Sequence, residues 1–431
     1  MRHINTGRFD TALRALAMGL VASLSLALAA CGGGGGSDLG TPAGGAPAGP
    51  VTPPAAPTYT IGGTVTGLTA GQTVALQNNG AGTLTVNANG AFTFTTAQQS
   101  NTAYSVSVST EPSARTTCTV SSGAGTVGTG NVTNVGVSCV TQHFAYVVNF
   151  TGNGSGGAGN GTVSLCSVNA TTGALSGCAP TGFGFDGPAE VAVSANGNYA
   201  YVTNETGGTV SLCSVNATTG VLSACTNAGA GVTSPGGAAV SANGNYAYVV
   251  SHGASTVSLC SVNSTTGALS GCVPTGSGFN NPQGITLSPN GSYAYVVNST
   301  PANSVTQCSV NTTTGALSGC VPTGSLFNNP QGITLSPSGN YAYVANYTGG
   351  NVIQCGVDAG TGALSSCADS GATSLSGPWG AAVSANGSYA YVTNFSGSTV
   401  NQCSVNATTG ALSSCTNVGG GFSSPAGILF N

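Results

Sequence analysis

Charge is what this chain of 431 residues lacks: Asp, Glu, Lys and Arg together make up 3% of it. The four basic residues are Arg2, Arg8, Arg14 and Arg115, so lysine is absent altogether. Three of those arginines lie in residues 1–30, which read as a removable leader. Beyond it Arg115 stands alone against seven acids, a formal charge of −6. One cation cannot neutralise a run of phosphates, which excludes nucleic acid as a partner and argues against anionic lipid surfaces. No Ser/His/Asp set, HExxH, P-loop or dinucleotide fingerprint occurs, and no catalytic residue, cofactor or metal site is assigned. The many Ser and Thr have no base beside them to activate them. Helical periodicity is missing too, and 70 glycines weigh against helix. Beyond the leader no apolar run is long enough to span a bilayer.

Cysteine is present in number. Six pairs stand twelve positions apart: Cys166/Cys178, Cys213/Cys225, Cys260/Cys272, Cys308/Cys320, Cys355/Cys367 and Cys403/Cys415. Their first members are spaced by 47 or 48 residues, a period typical of propeller-like arrays. One unit shows four strand-like runs, at residues 237–241, 246–250, 256–262 and 268–272, with Asn243-Gly244 predicting a type I′ hairpin between the first two. Four antiparallel strands per period make a blade. If the outer two strands turn about Thr219, Cys213 faces Cys225 and Val215 faces Ser223, a distance a disulfide can bridge. Zinc would need four ligands at one point, whereas these pairs belong to separate blades and have no histidine beside them, so disulfides are the reading adopted.

The second run reads Tyr201-Val202-Thr203-Asn204 and again Tyr391-Val392-Thr393-Asn394, with variants at residues 146–149, 248–251, 295–298 and 343–346. This resembles the YVTN family of β-propeller repeats. The Thr-Thr-Gly-Ala-Leu segment at residues 171–175 and 408–412 is similar to lactonase-type propellers. The resemblance spans residues 141–431 and implies a propeller. Lactonase-type propellers act at the channel mouth through charged residues that include arginine and histidine, and residues 141–431 hold no Arg or Lys. Six second runs are present, and Pro425-Ala426-Gly427-Ile428 matches the start of a first run. The expected fold is therefore all-β: a six-bladed propeller closed by a C-terminal strand.

Ahead of the propeller, Leu28-Ala29-Ala30-Cys31 closes the leader and resembles a bacterial lipobox, which implies acylation at Cys31. Removing Cys31 from the fifteen cysteines leaves an even fourteen, and disulfides persist only in an oxidising compartment. Gly32 after Cys31 implies sorting to the outer membrane, facing periplasm or cell surface, with the lipid as the only membrane contact. Residues 31–57 read as a disordered Gly/Ala/Pro tether. Residues 58–140 carry seven short alternating runs and Cys118 with Cys139, and predict a small immunoglobulin-like β-sandwich.

Variable residues collect where loops enter the first strands and where second strands pass to third ones: Glu190, Glu205, His252, Gln283, Gln331, Tyr347, Trp379 and Phe395. Such positions on a constant scaffold are where binding sites arise. A solvated loop histidine is the bland reading of His252, and tolerant loop positions that of the set. Glu190 with Glu205 gives a weak cation signal. The function expected is a non-enzymatic, lipid-anchored platform for an unidentified glycan or protein ligand; the alternatives are a lactonase-like hydrolase at the channel mouth and a structural spacer.

Overall fold

The computed structural model describes residues 55–113, 115–151, 160–229 and 231–430, so the leader, Cys31 and almost all of the tether lie outside it. Every regular element among the described residues is a strand. Ten of them lie between Thr58 and Thr141. Most fall into two four-stranded sheets, around Val132–Thr141 and around Val74–Asn78. Ile61, Val65, Val74, Leu76 and Val127 fill one core with no exposed surface. The immunoglobulin-like assignment is not shown. Val132–Thr141 pairs parallel to Ile61–Thr66 and antiparallel to Thr116–Ser121, and short strands such as Ala124–Thr126 lack the apolar alternation that makes a strand readable. Cys118 and Cys139 face each other in that antiparallel register and are joined.

Beyond Gln142 each repeat folds into a four-stranded antiparallel sheet in chain order, as in Pro235–Val240, Tyr246–Ser251, Thr256–Val262 and Leu269–Pro274. In the repeat that begins with His143–Asn149, the inner strand is the C-terminal Pro425–Phe430. The first hairpin of a unit is not type I′. Only Gly244 has positive φ, at 72°, while Gly244 donates to the Ser241 carbonyl over 2.8 Å and the Asn243 carboxamide accepts from Asn245. This is a type I turn followed by a left-handed glycine, a common longer hairpin loop.

Adjacent sheets are joined by a repeated bond. Tyr146, Tyr201, Tyr248, Tyr295, Tyr343 and Tyr391 are fully buried, and each hydroxyl donates to a carbonyl in the next unit: Gly220, Gly267, Gly315, Gly362, Gly410 and Gly173, over 2.5 to 2.7 Å. The accepting glycine sits in a turn opened by an Asn, or by Asp358 ahead of Gly362, whose side chain caps two backbone amides, as Asn216 does for Thr218 and Thr219. The recurring Asn-x-Thr sequences are therefore turn chemistry.

All six pairs twelve apart are disulfides: Cys166–Cys178, Cys213–Cys225, Cys260–Cys272, Cys308–Cys320, Cys355–Cys367 and Cys403–Cys415, with Cα atoms 4.0 to 4.1 Å apart. The one-to-one opposition expected of these cysteines needs correction. Cys178, Cys225, Cys272, Cys320, Cys367 and Cys415 each stand in a bulge of the fourth strand, where that cysteine and the residue before it together oppose one cysteine of the third. Val215 therefore faces Leu222, and Ser214 faces Ser223. The extra residue takes up a left-handed backbone: Ala224 has φ 49°, and Gly177, Gly271, Gly319, Ser366 and Ser414 match it in sign. The bulge also divides each bridge. The third-strand cysteine is fully buried, whereas Cys178, Cys225, Cys272, Cys320, Cys367 and Cys415 are only half-buried on the outer strand.

Candidate functional site at the channel mouth

The Pro that opens each inner strand faces the residue that ends the second strand: Pro188 with Asn204, Pro235 with Ser251, Pro282 with Asn298, Pro330 with Asn346, Pro378 with Asn394, and Pro425 with Asn149. The five asparagines are buried. Each accepts a backbone N–H from the incoming loop, such as Asp186 onto Asn204 at 3.2 Å and Ser376 onto Asn394 at 3.1 Å. The last residue of the YVTN motif therefore fastens the rim. The next residue is the one each unit presents there: Phe150, Glu205, His252, Ser299, Tyr347 and Phe395. Sequence reading singled out four of these as site residues, and Phe150 and Ser299 were not among them. Their shared position after the buried Asn or Ser was the signal.

His252 and Glu205 meet across adjacent units, with Nε2 3.0 Å from Oε1. Burial pushes the Glu205 carboxyl above its ordinary value, against the pull of His252. Its other oxygen is buried and has no hydrogen-bond partner among the described residues.

Glu190 is displaced from its expected place. Ala189 follows Pro188, and Glu190 stands where the other units have Gly237, Gly284, Gly332, Gly380 and Gly427. A Cβ at Gly332 would come within 2.6 Å of the Trp379 carbonyl oxygen, so glycine is required where inner strands approach this closely. Glu190 has Gly236 and Gly237 ahead of it in the next unit. It lines a channel cavity of about 300 Å³ with Val191, Ala238, Ile285, Ile333 and Ile428. Its Oε1 accepts from Val191 N–H at 3.1 Å and lies against Gly427, where a Cβ would fall 2.4 Å from it. The residue keeps some exposure to the channel, but its carboxyl is closed in by apolar walls, which push its pKa up to about 8. Glu190 and Glu205 thus have separate surroundings, and among the described residues no group of three or more His, Cys, Asp or Glu is placed to hold a metal.

Gln331 is 6% exposed and donates to Asn329 Oδ1 at 2.8 Å and Ser299 Oγ at 3.2 Å, while its own Oε1 is buried and unpartnered among the described residues. Gln283 lies over Gly236, whose Cβ would sit 3.2 Å from its Oε1. Trp379 stacks on Phe395 with ring centres 4.7 Å apart, and Tyr347 meets both edge-on. The rim is therefore divided into an acid and amide arc and an aromatic arc. A larger cavity of about 420 Å³, lined by Thr69, His143, Tyr389 and Phe430, has mostly apolar walls and none of these groups.

The family described as lactonase, 7-bladed beta-propeller matches residues 141–275, 272–358 and 332–420. That description overturns the six-bladed assignment made from the sequence. That count rested on six second runs and a C-terminal strand that completes the first unit, and a count of runs in one chain does not define the ring of the family. No protein of curated function matches the chain. Among solved structures, a Bacteroides fragilis protein put forward as a 6-phosphogluconolactonase is 17% identical over 67% of this chain and 98% of its own, with a TM-score of 0.50. A Lactobacillus plantarum protein is 15% identical over 68% of this chain and 100% of its own, TM-score 0.51. The nidogen/laminin complex gives 12% identity over 67% of this chain and 98% of that one, TM-score 0.51. At these identities the likeness is one of fold.

Proposed function

Starting from a chain that belongs to the lactonase, seven-bladed β-propeller family, we propose that its channel mouth binds and hydrolyses a lactone. The observation that carries this reading is the pairing of His252 with Glu205, 3.0 Å apart on the rim. A neutral His252 that gives its Nε2 hydrogen to the Glu205 carboxylate has Nδ1 free to accept. As a water oxygen adds to the lactone carbonyl carbon, Nδ1 takes the proton, and Glu205 stabilises the imidazolium. The same proton then passes to the ring oxygen as the carbon–oxygen bond breaks, leaving a hydroxy acid. The small change in charge needed on protein groups suits a site without arginine.

The test is hydrolysis of a neutral δ-lactone above its spontaneous rate. Replacement of His252 by Ala, or Glu205 by Gln, should lower kcat by about 10²–10⁴-fold, the usual range for a positioned acid–base group. Turnover that is absent, or that both variants retain, defeats the reading. A second reading, the non-enzymatic platform, is supported by the aromatic arc on the same rim; on it the mouth binds without turnover.

A further inference from the structure

Four rings on the rim occupy equivalent or neighbouring places in successive units. Phe150, Tyr347 and Phe395 each follow a buried asparagine, and Trp379 follows the Pro that faces one of them. Phe395 and Trp379 are stacked at 27°, Tyr347 closes on them at 75° and 80°, and Phe150 leans on Phe395 with centres 5.7 Å apart. All four keep partial exposure. Their backbones are pinned: Phe395 N–H donates to Gly377, Phe150 N–H to Ser424 and Tyr347 N–H to Asn329, over 2.9 to 3.1 Å. The Tyr347 hydroxyl lies 3.2 Å from Ser396 Oγ. A rigid aromatic surface loses little entropy when a ligand covers it.

Asn329 also links this surface to an unmet acceptor, because it holds the Gln331 carboxamide whose Oε1 has no donor among the described residues. A buried acceptor without a donor is costly, and a ligand hydroxyl relieves it once the carboxamide turns toward the rim. Charge narrows the ligand further. Residues 141–431 contain no Lys or Arg, and Arg115 is engaged on the Ala217 carbonyl and the Phe144 ring. A phosphorylated or carboxylated ligand would find no lysine or arginine to offset its charge. A ring with an apolar C–H face and neutral hydroxyl donors meets all three conditions.

We propose that Phe150, Tyr347, Trp379 and Phe395 form a stacking platform for an uncharged pyranose unit of a glycan, with a sugar hydroxyl donating to Gln331. The platform needs neither a lactone nor His252, so it goes beyond the hydrolytic reading.

Trp379 is the sole tryptophan, so its emission reports on this surface alone. The full chain is titrated with maltotriose and cellotriose, which have no lactone carbonyl, and with trigalacturonate as the anionic counterpart. A saturating change in emission with at least one neutral trisaccharide is expected, with trigalacturonate at least tenfold weaker. The Phe395→Ala and Gln331→Leu variants should each weaken binding of the neutral sugar at least fivefold, and far-UV circular dichroism checks their folding. No response to either neutral sugar at millimolar concentration overturns the platform, and an equal response to trigalacturonate overturns the charge argument. Because these probes carry no lactone, loss of the lactonase reading leaves this result standing, and the converse also holds.

Discussion

Glu190 is a carboxyl placed where five sister repeats have only a hydrogen atom, and its surroundings set its chemistry. The walls that raise its pKa from 4.5 to about 8 make the folded protein hold a proton that the unfolded chain releases. Stability from this group is therefore complete below about pH 4.5 and is lost as pH rises towards 8. Glu205 is shifted the same way, so the comparison that isolates Glu190 is with a variant. Between pH 5 and pH 8 the Tm of the native chain should fall more steeply than that of Glu190→Gln; calorimetry of the two in parallel checks this, and equal slopes would mean an ionised carboxyl. Scarcity made Glu190, Glu205 and His252 legible, since in a chain with so few charges each one draws notice. The pairing of His252 with Glu205 was not legible, because it joins different repeats through a register that only the folded sheets define. Phe150 was not singled out for a plainer reason: it opens a Gly-rich stretch and reads as loop.

Within the strands, the cysteine spacing was enough to identify each staple, because a hairpin brings two residues at that separation within bonding reach. The bulge at each staple left no such trace. Ala, Ser and Gly all occur before the second cysteine, and nothing in that variety announces a left-handed backbone. Ala224 occupies it at φ 49°, where a Cβ is unfavourable by roughly 1 kcal/mol. Ala224→Gly should thus raise stability by a fraction of that amount in denaturant titration, since glycine also gains freedom in the unfolded chain; a loss would show that the Ala side chain packs favourably. The staple itself constrains a short loop. Removing one, through Cys260→Ser with Cys272→Ser, should cost about 3 kcal/mol or less while the other units keep their pairs. Non-reducing peptide mapping of that variant checks it, and any pairing between units would contradict the hairpin register.

At the scale of the molecule, one residue of chain and one cation help to join the N-terminal sheets to the repeats, which also share the cavity lined by Thr69 and His143. Gln142 alone separates Val132–Thr141 from His143–Asn149, and its N–H donates to the Arg115 carbonyl over 2.9 Å. The Arg115 side chain donates to the Ala217 carbonyl at 3.2 Å and lies 5.9 Å over the Phe144 ring. Arg115→Ala should leave both folds intact, cost about 1 kcal/mol, and speed amide exchange in the turn at residues 216–220. Unchanged exchange there would mean that the contact carries no load. The chain sequence made the repeat and its strand order plain, but not the family's number of blades, and the tyrosine bonds show why. Every unit offers a phenol on one side and a glycine carbonyl on the other, and Tyr391 meets Gly173 just as Tyr201 meets Gly267. Such a seam is blind to the identity of its neighbour. Gene duplication or recombination can insert, delete or exchange whole cassettes without inventing a new interface, so lineages descended from one ancestral unit are free to differ in circumference while conserving every joint.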